Sequence, residues 1–216
     1  MMSVGRESNK QFLEAIKKVI EDYWSEPNWS DIFKLLIACI VSQRTRSEVT
    51  RKVVEELFSK YRDARELAHA DIEDIQRILK PAGLYRMKAR AIIRAANYIL
   101  TVLNGQVPNS FEELLKIPGI GRKCANIVLA YGFGKQVIAV DANVERICKR
   151  LGLVRKDAKP VEIENTLTKL LPKSYWRKVD ISMVRFGRTI CKPTNPRCAE
   201  CPLSSFCKYY ANQCIV

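Results

Sequence analysis

The sequence predicts an all-α protein, on three observations. Apolar residues recur at spacings of three and four almost throughout the chain, no alternating run of strand length interrupts them, and two capping-box signatures precede apolar stripes. Ser8-x-x-Gln11 marks the start of a first helix striped by Phe12, Ile16, Val19, Ile20 and Tyr23. Ile32 to Val41 is apolar nearly all round, as a helix in the middle of a bundle must be. Val53, Val54, Leu57, Phe58 and Tyr61 stripe the next helix, which ends in a polar connection holding His69, the only histidine, read as ordinary surface. Ile72, Ile75, Ile78 and Leu79 form a short helix stopped by Pro81 and Gly83.

After "GLYRMK" a longer helix carries Met87, Ile92, Ala95, Ile99 and Val102, with Gly105 as its terminator. Ser110-x-x-Glu113 opens the brief helix "FEELLKI". The corner Pro118-Gly119-Ile120-Gly121 then leads into a helix whose buried stripe is Cys124, Ile127, Val128 and Tyr131, giving helix, hairpin, helix. Val144, Ile147, Cys148 and Leu151 share one face of a further helix, Val161 to Leu171 form another, and Tyr175 to Thr189 the last. The stretch "GFGKQ" at 132–136 marks a boundary between a helical bundle and a second, smaller unit.

Lys and Arg outnumber Asp and Glu 37 to 23, a net charge of +14. An excess of that size implies a polyanionic partner, with nucleic acid ahead of an acidic membrane. No apolar run approaches the ~20 residues of a spanning helix, and "MMSVGRESNK" lacks the apolar core of a signal peptide. The expected location is cytoplasmic and nucleoid-associated, or nuclear, and not secreted.

Glycines in the corner suggest backbone angles closed to other residues, at which successive N–H groups converge on a phosphate oxygen. Gly119, Gly121 and the adjacent Arg122 are therefore candidate DNA contacts, although Pro-Gly-x-Gly also serves simply to join two helices. Lys123 falls in the first turn of its helix, where the macrodipole and Arg122 both oppose a positive charge. That placement favours a free amine, a nucleophile toward an aldehyde-like carbon; the alternative is one more phosphate contact. Asp141 follows the apolar run "QVIAV" at the mouth of the next helix. It suits both an N-cap and a carboxylate that stabilises a cationic sugar.

Of eight cysteines, Cys39, Cys124 and Cys148 sit in apolar helical patterns and read as core thiols. Cys191, Cys198, Cys201 and Cys207 crowd into seventeen residues and read as metal ligands, for structural zinc or for an iron–sulfur cluster. Cys214 falls outside that group and reads as a spare thiol.

"LKIPGIGRKCANIVLAYGFG" followed by "IAVDANVERICKRLGL" resembles the helix-hairpin-helix, Gly/Pro-Asp superfamily of DNA glycosylases, specifically its endonuclease III branch. Cys191-x6-Cys198-x2-Cys201-x5-Cys207 is similar to that branch's 4Fe-4S motif, and the resemblance runs from "DIFKLLIACIVSQRT" to Cys207. It implies a six-helix barrel domain bearing the hairpin over residues 25–135, and a helical iron–sulfur cluster domain formed by both termini, residues 1–24 and 136–216. It also implies a monomer acting on double-stranded DNA that contains damaged bases or abasic sites. Lys123 would attack C1′ of a flipped nucleotide, expel the base and nick the strand by β-elimination, with Asp141 assisting. Gln43, in "SQRT", resembles a glutamine that fills the hole left by the flipped base. Lys192, Arg197 and Lys208 would offer charge to a phosphate backbone beside the cluster.

"VDANVER" departs from the "VDTHV" of oxidised-pyrimidine enzymes, with Ala142 and Asn143 in place of Thr and His. Asn143 resembles the adenine- and thymine-mismatch relatives, which generally lack the lysine supplied here by Lys123. The nine residues after Cys207 leave no room for the extension that reads 8-oxoguanine in adenine-mismatch enzymes. The expected activity is a bifunctional glycosylase and abasic-site lyase for oxidised pyrimidines. The competing readings are a monofunctional mismatch glycosylase and a non-catalytic DNA-binding module stapled by zinc.

Overall fold

A computed structural model describes residues 3–27, 29 and 31–213, and every regular element among them is helical. Cys214 lies outside the described residues. The chain divides into two compact units, Asn28–Lys135 and a second made of Met1–Pro27 with Gln136–Val216.

The Asn28–Lys135 unit contains α2 (Ile32–Ser42), α3 (Ser47–Lys60), α4 (Ala64–Ala68), α5 (Ile72–Leu79), α6 (Tyr85–Val102), α7 (Phe111–Lys116) and α8 (Arg122–Ile127). At its centre α2 buries every residue from Leu35 to Val41, as its all-round apolar sequence requires. Fully burying one such side chain stabilises by about 1.5–3 kcal/mol. Asp31 caps this helix through the Lys34 amide at 3.1 Å. The polar connection after α3 turns out to hold α4, capped by Asp63 through the Glu66 amide, with Ala64 and Leu67 buried. His69 is exposed at its end.

On α6 the buried face comprises Lys88, Ala89, Ile92, Ala95, Ala96 and Ile99. Met87 and Val102, read as part of the apolar stripe, are 54% and 56% exposed. Met87 is five residues from Ile92, about 140° around a helix of 3.6 residues per turn, so the two cannot share a face. Gly105, at φ +80, closes the segment with its N–H on Ile99 O at 2.8 Å.

The other unit holds α1 (Ser3–Asp22), α9 (Ala142–Leu151), α10 (Pro160–Leu170), α11 (Val179–Thr189) and α12 (Lys208–Gln213). Its core joins Ile16, Val19 and Ile20 of α1 to Val144, Ile147 and Cys148 of α9, Ile163 and Leu167 of α10, and Met183 and Phe186 of α11. Buried Ser182 on α11 donates to Ile20 O at 2.7 Å. Ser8 does not start α1: the helix begins earlier and carries Ser8 on its exposed face, where serine costs little. The last predicted helix is split into a 3-10 segment, Lys173–Lys178, and α11.

Candidate active site and iron-sulfur site

The hairpin is built by α7, the turn at 117–121, and α8. Ser110 caps α7 through the Glu113 amide at 3.4 Å, and Ile120 N–H closes the turn on Ile117 O at 3.1 Å. Gly119 has φ +85, and a Cβ there would lie 3.1 Å from Ala91 Cβ of α6. Both conformation and space demand glycine at that position. Gly121 differs from expectation: its φ of −103 is open to any residue, and a Cβ would meet nothing within 4 Å. The space left beside it admits a close approach to the backbone.

Lys123 stands exposed in the first turn of α8. Arg122 stacks over the Phe111 ring at 4.9 Å, tying the second helix of the hairpin to the first. The buried face of α8 and the π turn that continues it (Val128–Gly132) is wider than the predicted stripe, taking in Ala125, Asn126, Leu129 and Ala130, while Ile127 and Tyr131 are only half-buried.

Gln43 ends α2 and donates from Nε2 to Gly119 O at 3.0 Å, so the structure joins two of the predicted DNA contacts. Cys124 is more than a core thiol. A hydrogen bond to Cys39, with the Lys123 charge, the Gly121 amide and Gln43, lowers its pKa to about 7 against its burial. By contrast, burial alone pushes Cys148 up to about 12.

In the other unit, Ile138, Ala139 and Val140 are buried and deliver Asp141 to the N-cap of α9. Its Oδ1 accepts the amides of Asn143 and Val144, both at 2.8 Å, and its Oδ2 accepts Asn143 Nδ2 at 2.7 Å. Asn143 Oδ1 in turn accepts from a terminal nitrogen of Arg146 at 2.9 Å. Arg146 also donates to Gly187 O at 3.0 Å and to Cys191 O from Nε (3.1 Å) and the terminal nitrogen (2.9 Å). A Cβ on Gly187 would stand 2.8 Å from both the Arg146 nitrogen and Asn143 Oδ1, so glycine on α11 leaves room for this network.

Cys191, Cys198, Cys201 and Cys207 line one small cavity that is open in part to solvent. Arg150 braces it, donating to Cys191 Sγ at 3.4 Å, Lys192 O at 2.6 Å and Pro193 O at 2.9 Å, and stacking on Tyr209 at 4.5 Å. Burial, against the Leu203 backbone hydrogen bond and together with the neighbouring Cys191, Cys207 and Cys198, raises the Cys201 pKa. Among the described residues no three His, Cys, Asp or Glu side chains converge on one ion position. Four thiols lining one cavity are the donor set that an iron–sulfur cluster takes. Nearby, Lys192 is half-exposed, Lys208 is exposed, and Arg197 is engaged by Glu200 at 3.5 Å.

Arg146 and Arg150 escaped the sequence reading, although "VERICKR" shows two arginines four apart on one helix face, and Asn143 was read there for specificity and not as the link between Asp141 and Arg146. Lys88 escaped too, and its signal was a lysine four residues before Ile92 on the buried stripe.

Residues 37–173 match the model of the HhH-GPD superfamily base excision DNA repair proteins, and residues 191–207 match the iron-sulfur binding domain of endonuclease III. The chain is 46% identical over 197 residues to endonuclease III of Thermotoga maritima, covering 91% of this chain and 92% of that protein. To endonuclease III of Bacillus subtilis it is 40% identical over 179 residues, covering 83% and 82%. The structure of a trapped endonuclease III–DNA covalent intermediate, an estranged-adenine complex, superposes with a TM-score of 0.89 at 36% identity, over 99% of this chain and 100% of that one. The zinc-stapled, non-catalytic reading is not favoured; the cofactor is a 4Fe-4S cluster. The chain belongs to the endonuclease III family of the HhH-GPD superfamily of base excision DNA repair proteins.

Proposed function

We propose that this protein is a bifunctional DNA glycosylase and abasic-site lyase that removes damaged, oxidised pyrimidines from duplex DNA. The observation that carries the reading is Lys123, an exposed amine in the first turn of α8, directly after the Gly119–Gly121 turn. With the nucleotide flipped out, the Lys123 amine attacks C1′, the glycosidic bond breaks, and the base leaves with its electron pair and takes up a proton. The C1′–O4′ bond then breaks, opening the sugar ring as O4′ takes up a proton, and leaves an iminium that makes the C2′ proton acidic; loss of that proton expels the 3′ phosphate, which nicks the strand. Asp141 accepts the proton shed by the amine and stabilises the cationic sugar.

Gly119, Gly121, Arg122 and Gln43 contact the DNA around the hairpin, and Lys192, Arg197 and Lys208 grip phosphate beside the cluster. Cys191, Cys198, Cys201 and Cys207 each supply a thiolate to the 4Fe-4S cluster, which staples the C-terminal loop. Residues 25–135 form the barrel domain, and 1–24 with 136–216 the cluster domain; the contact division at Pro27/Asn28 and Lys135/Gln136 supports that assignment. The enzyme acts as a monomer wherever the cell keeps its DNA. No helix among the described residues is long and apolar enough to cross a membrane.

The hydrogen bonds of Asn143 to Asp141 and Arg146 support a scaffolding role for this residue, so its departure from the oxidised-pyrimidine pattern does not by itself call for a mismatched base. Borohydride trapping on duplexes carrying an abasic site, thymine glycol, or mispaired uracil or thymine tests the reading. A covalent adduct with wild type that is lost in Lys123→Gln supports it. Base release without adduct or nick would indicate a monofunctional enzyme instead.

A further inference from the structure

Away from the cluster ligands, the Asn28–Lys135 unit sets two thiols against one another. Cys39 of α2 and Cys124 of α8 are 4% and 7% exposed. Cys124 Sγ stands 3.7 Å from Cys39 O, and the two side chains are themselves hydrogen-bonded. The residues are 85 positions apart in sequence, so it is the packing of α2 against α8 that pairs them.

Cys148 shows what burial alone does to a thiol in this protein: pushed up to about 12, it stays protonated and inert. Cys124 is surrounded differently. The Cys39 hydrogen bond, the Lys123 charge, the Gly121 amide and a hydrogen bond with Gln43 outweigh its burial and hold it below the usual thiol range. The thiolate, which is the reactive form, is therefore within reach near neutral pH. Access comes from the hairpin side, where Lys123 is exposed and a Cβ on Gly121 would meet nothing within 4 Å. That open space lies beside the amide that reaches the sulfur, and a molecule the size of a peroxide fits it.

We infer that Cys39 and Cys124 form a modification site, a dithiol that a hydroperoxide oxidises to a disulfide joining α2 to α8. The Cys124 thiolate attacks the peroxide oxygen, the O–O bond breaks, and the alcohol leaves with its electron pair and takes up a proton. Cys124 is then a sulfenic acid. The Cys39 sulfur displaces its hydroxyl, which departs as water with the Cys39 proton. Together the two thiols lose two electrons and two protons, and the hydroperoxide is reduced to alcohol and water.

The bond would form between two parts of the candidate site. Cys39 lies one helical turn before Gln43, which holds Gly119 O at 3.0 Å, and Cys124 adjoins Lys123. Closing it brings the sulfurs from hydrogen-bond contact to covalent distance and draws the first turn of α8 toward α2. On the glycosylase and lyase reading, on which this step rests, the displaced Lys123 amine attacks C1′ more slowly, because attack depends steeply on position.

The cluster-loaded protein is treated with tert-butyl hydroperoxide while cluster absorbance is followed, then alkylated, digested and mapped by mass spectrometry. The expected product is a Cys39–Cys124 disulfide, with Cys148 still reduced and the absorbance retained. Borohydride trapping on an abasic duplex should then run about tenfold slower and recover with dithiothreitol. Cys39→Ala should trap at the wild-type rate before and after the oxidant, and Cys124→Ala gives the same readout should Cys39→Ala fail to fold. Alkylation of both thiols after treatment, disulfides confined to the four cluster cysteines, or a Cys39–Cys124 bond that leaves trapping unchanged would overturn the inference. Reduced wild type that forms no adduct, while the Cys39–Cys124 bond still maps, would instead sink the lyase reading and leave the dithiol standing.

Discussion

Arg146 donates twice to the backbone carbonyl of Cys191, at 3.1 and 2.9 Å, and one of the two nitrogens also holds Asn143 Oδ1 at 2.9 Å. One guanidinium thus links the first cysteine of the cluster loop to the side chain that orients Asp141. Arg146→Met should leave the carbonyls of Gly187 and Cys191 short of donors, at about 1–3 kcal/mol each. The expected result is a lower denaturation midpoint and faster bleaching of the visible cluster absorbance by a chelator.

Gly187→Ala perturbs the same network from the opposite side, because the new methyl would stand 2.8 Å from both the Arg146 nitrogen and Asn143 Oδ1. Overpacking of this kind costs about 1–3 kcal/mol. Base release should fall together with stability, measured by single-turnover kinetics beside chemical denaturation. A variant as stable and as active as wild type would show that the network yields without consequence.

Asp141→Asn separates capping from catalysis. Asparagine is as good an N-cap as aspartate, so helix content should hold, whereas loss of the carboxylate should slow base release by about 10²-fold or more. Circular dichroism and product quantification read the two effects independently.

Cys148 predicts a limit at alkaline pH. Its pKa rises from 9.0 to about 12 on burial, so its contribution is complete below pH 9 and is lost as pH climbs toward 12. Cys148→Val, of similar volume, should flatten that part of the stability profile measured by urea unfolding.

The charge of +14 makes DNA affinity depend on salt. For about six phosphate contacts, raising salt from about 50 to 200 mM should weaken binding to an abasic duplex about 10³-fold. Fluorescence anisotropy against salt gives the slope directly, and a flat response would mean that the charge is not directed at DNA.

Most of the fold was legible because α2, α5 and α9 bury what their spacing says they must, and Asp31, Ser110 and Asp141 cap where short polar side chains precede apolar runs. Errors arose where local pattern was ambiguous. Serine in the exposed face of α1 imitated a cap, and methionine on α6 imitated core. The lysine after the glycine corner, the aspartate after "QVIAV" and the cysteine spacing are local in sequence, so composition and spacing alone determined an all-helical, basic protein with a hairpin, a nucleophile candidate and a metal motif. Lys88 meeting Thr45 across 43 positions, Arg146 meeting Cys191 across 45 and Gln43 meeting Gly119 across 76 were decided only by tertiary structure. The physical reason is that a buried donor takes whichever acceptor packing places near it, and that choice leaves no periodic trace along the chain.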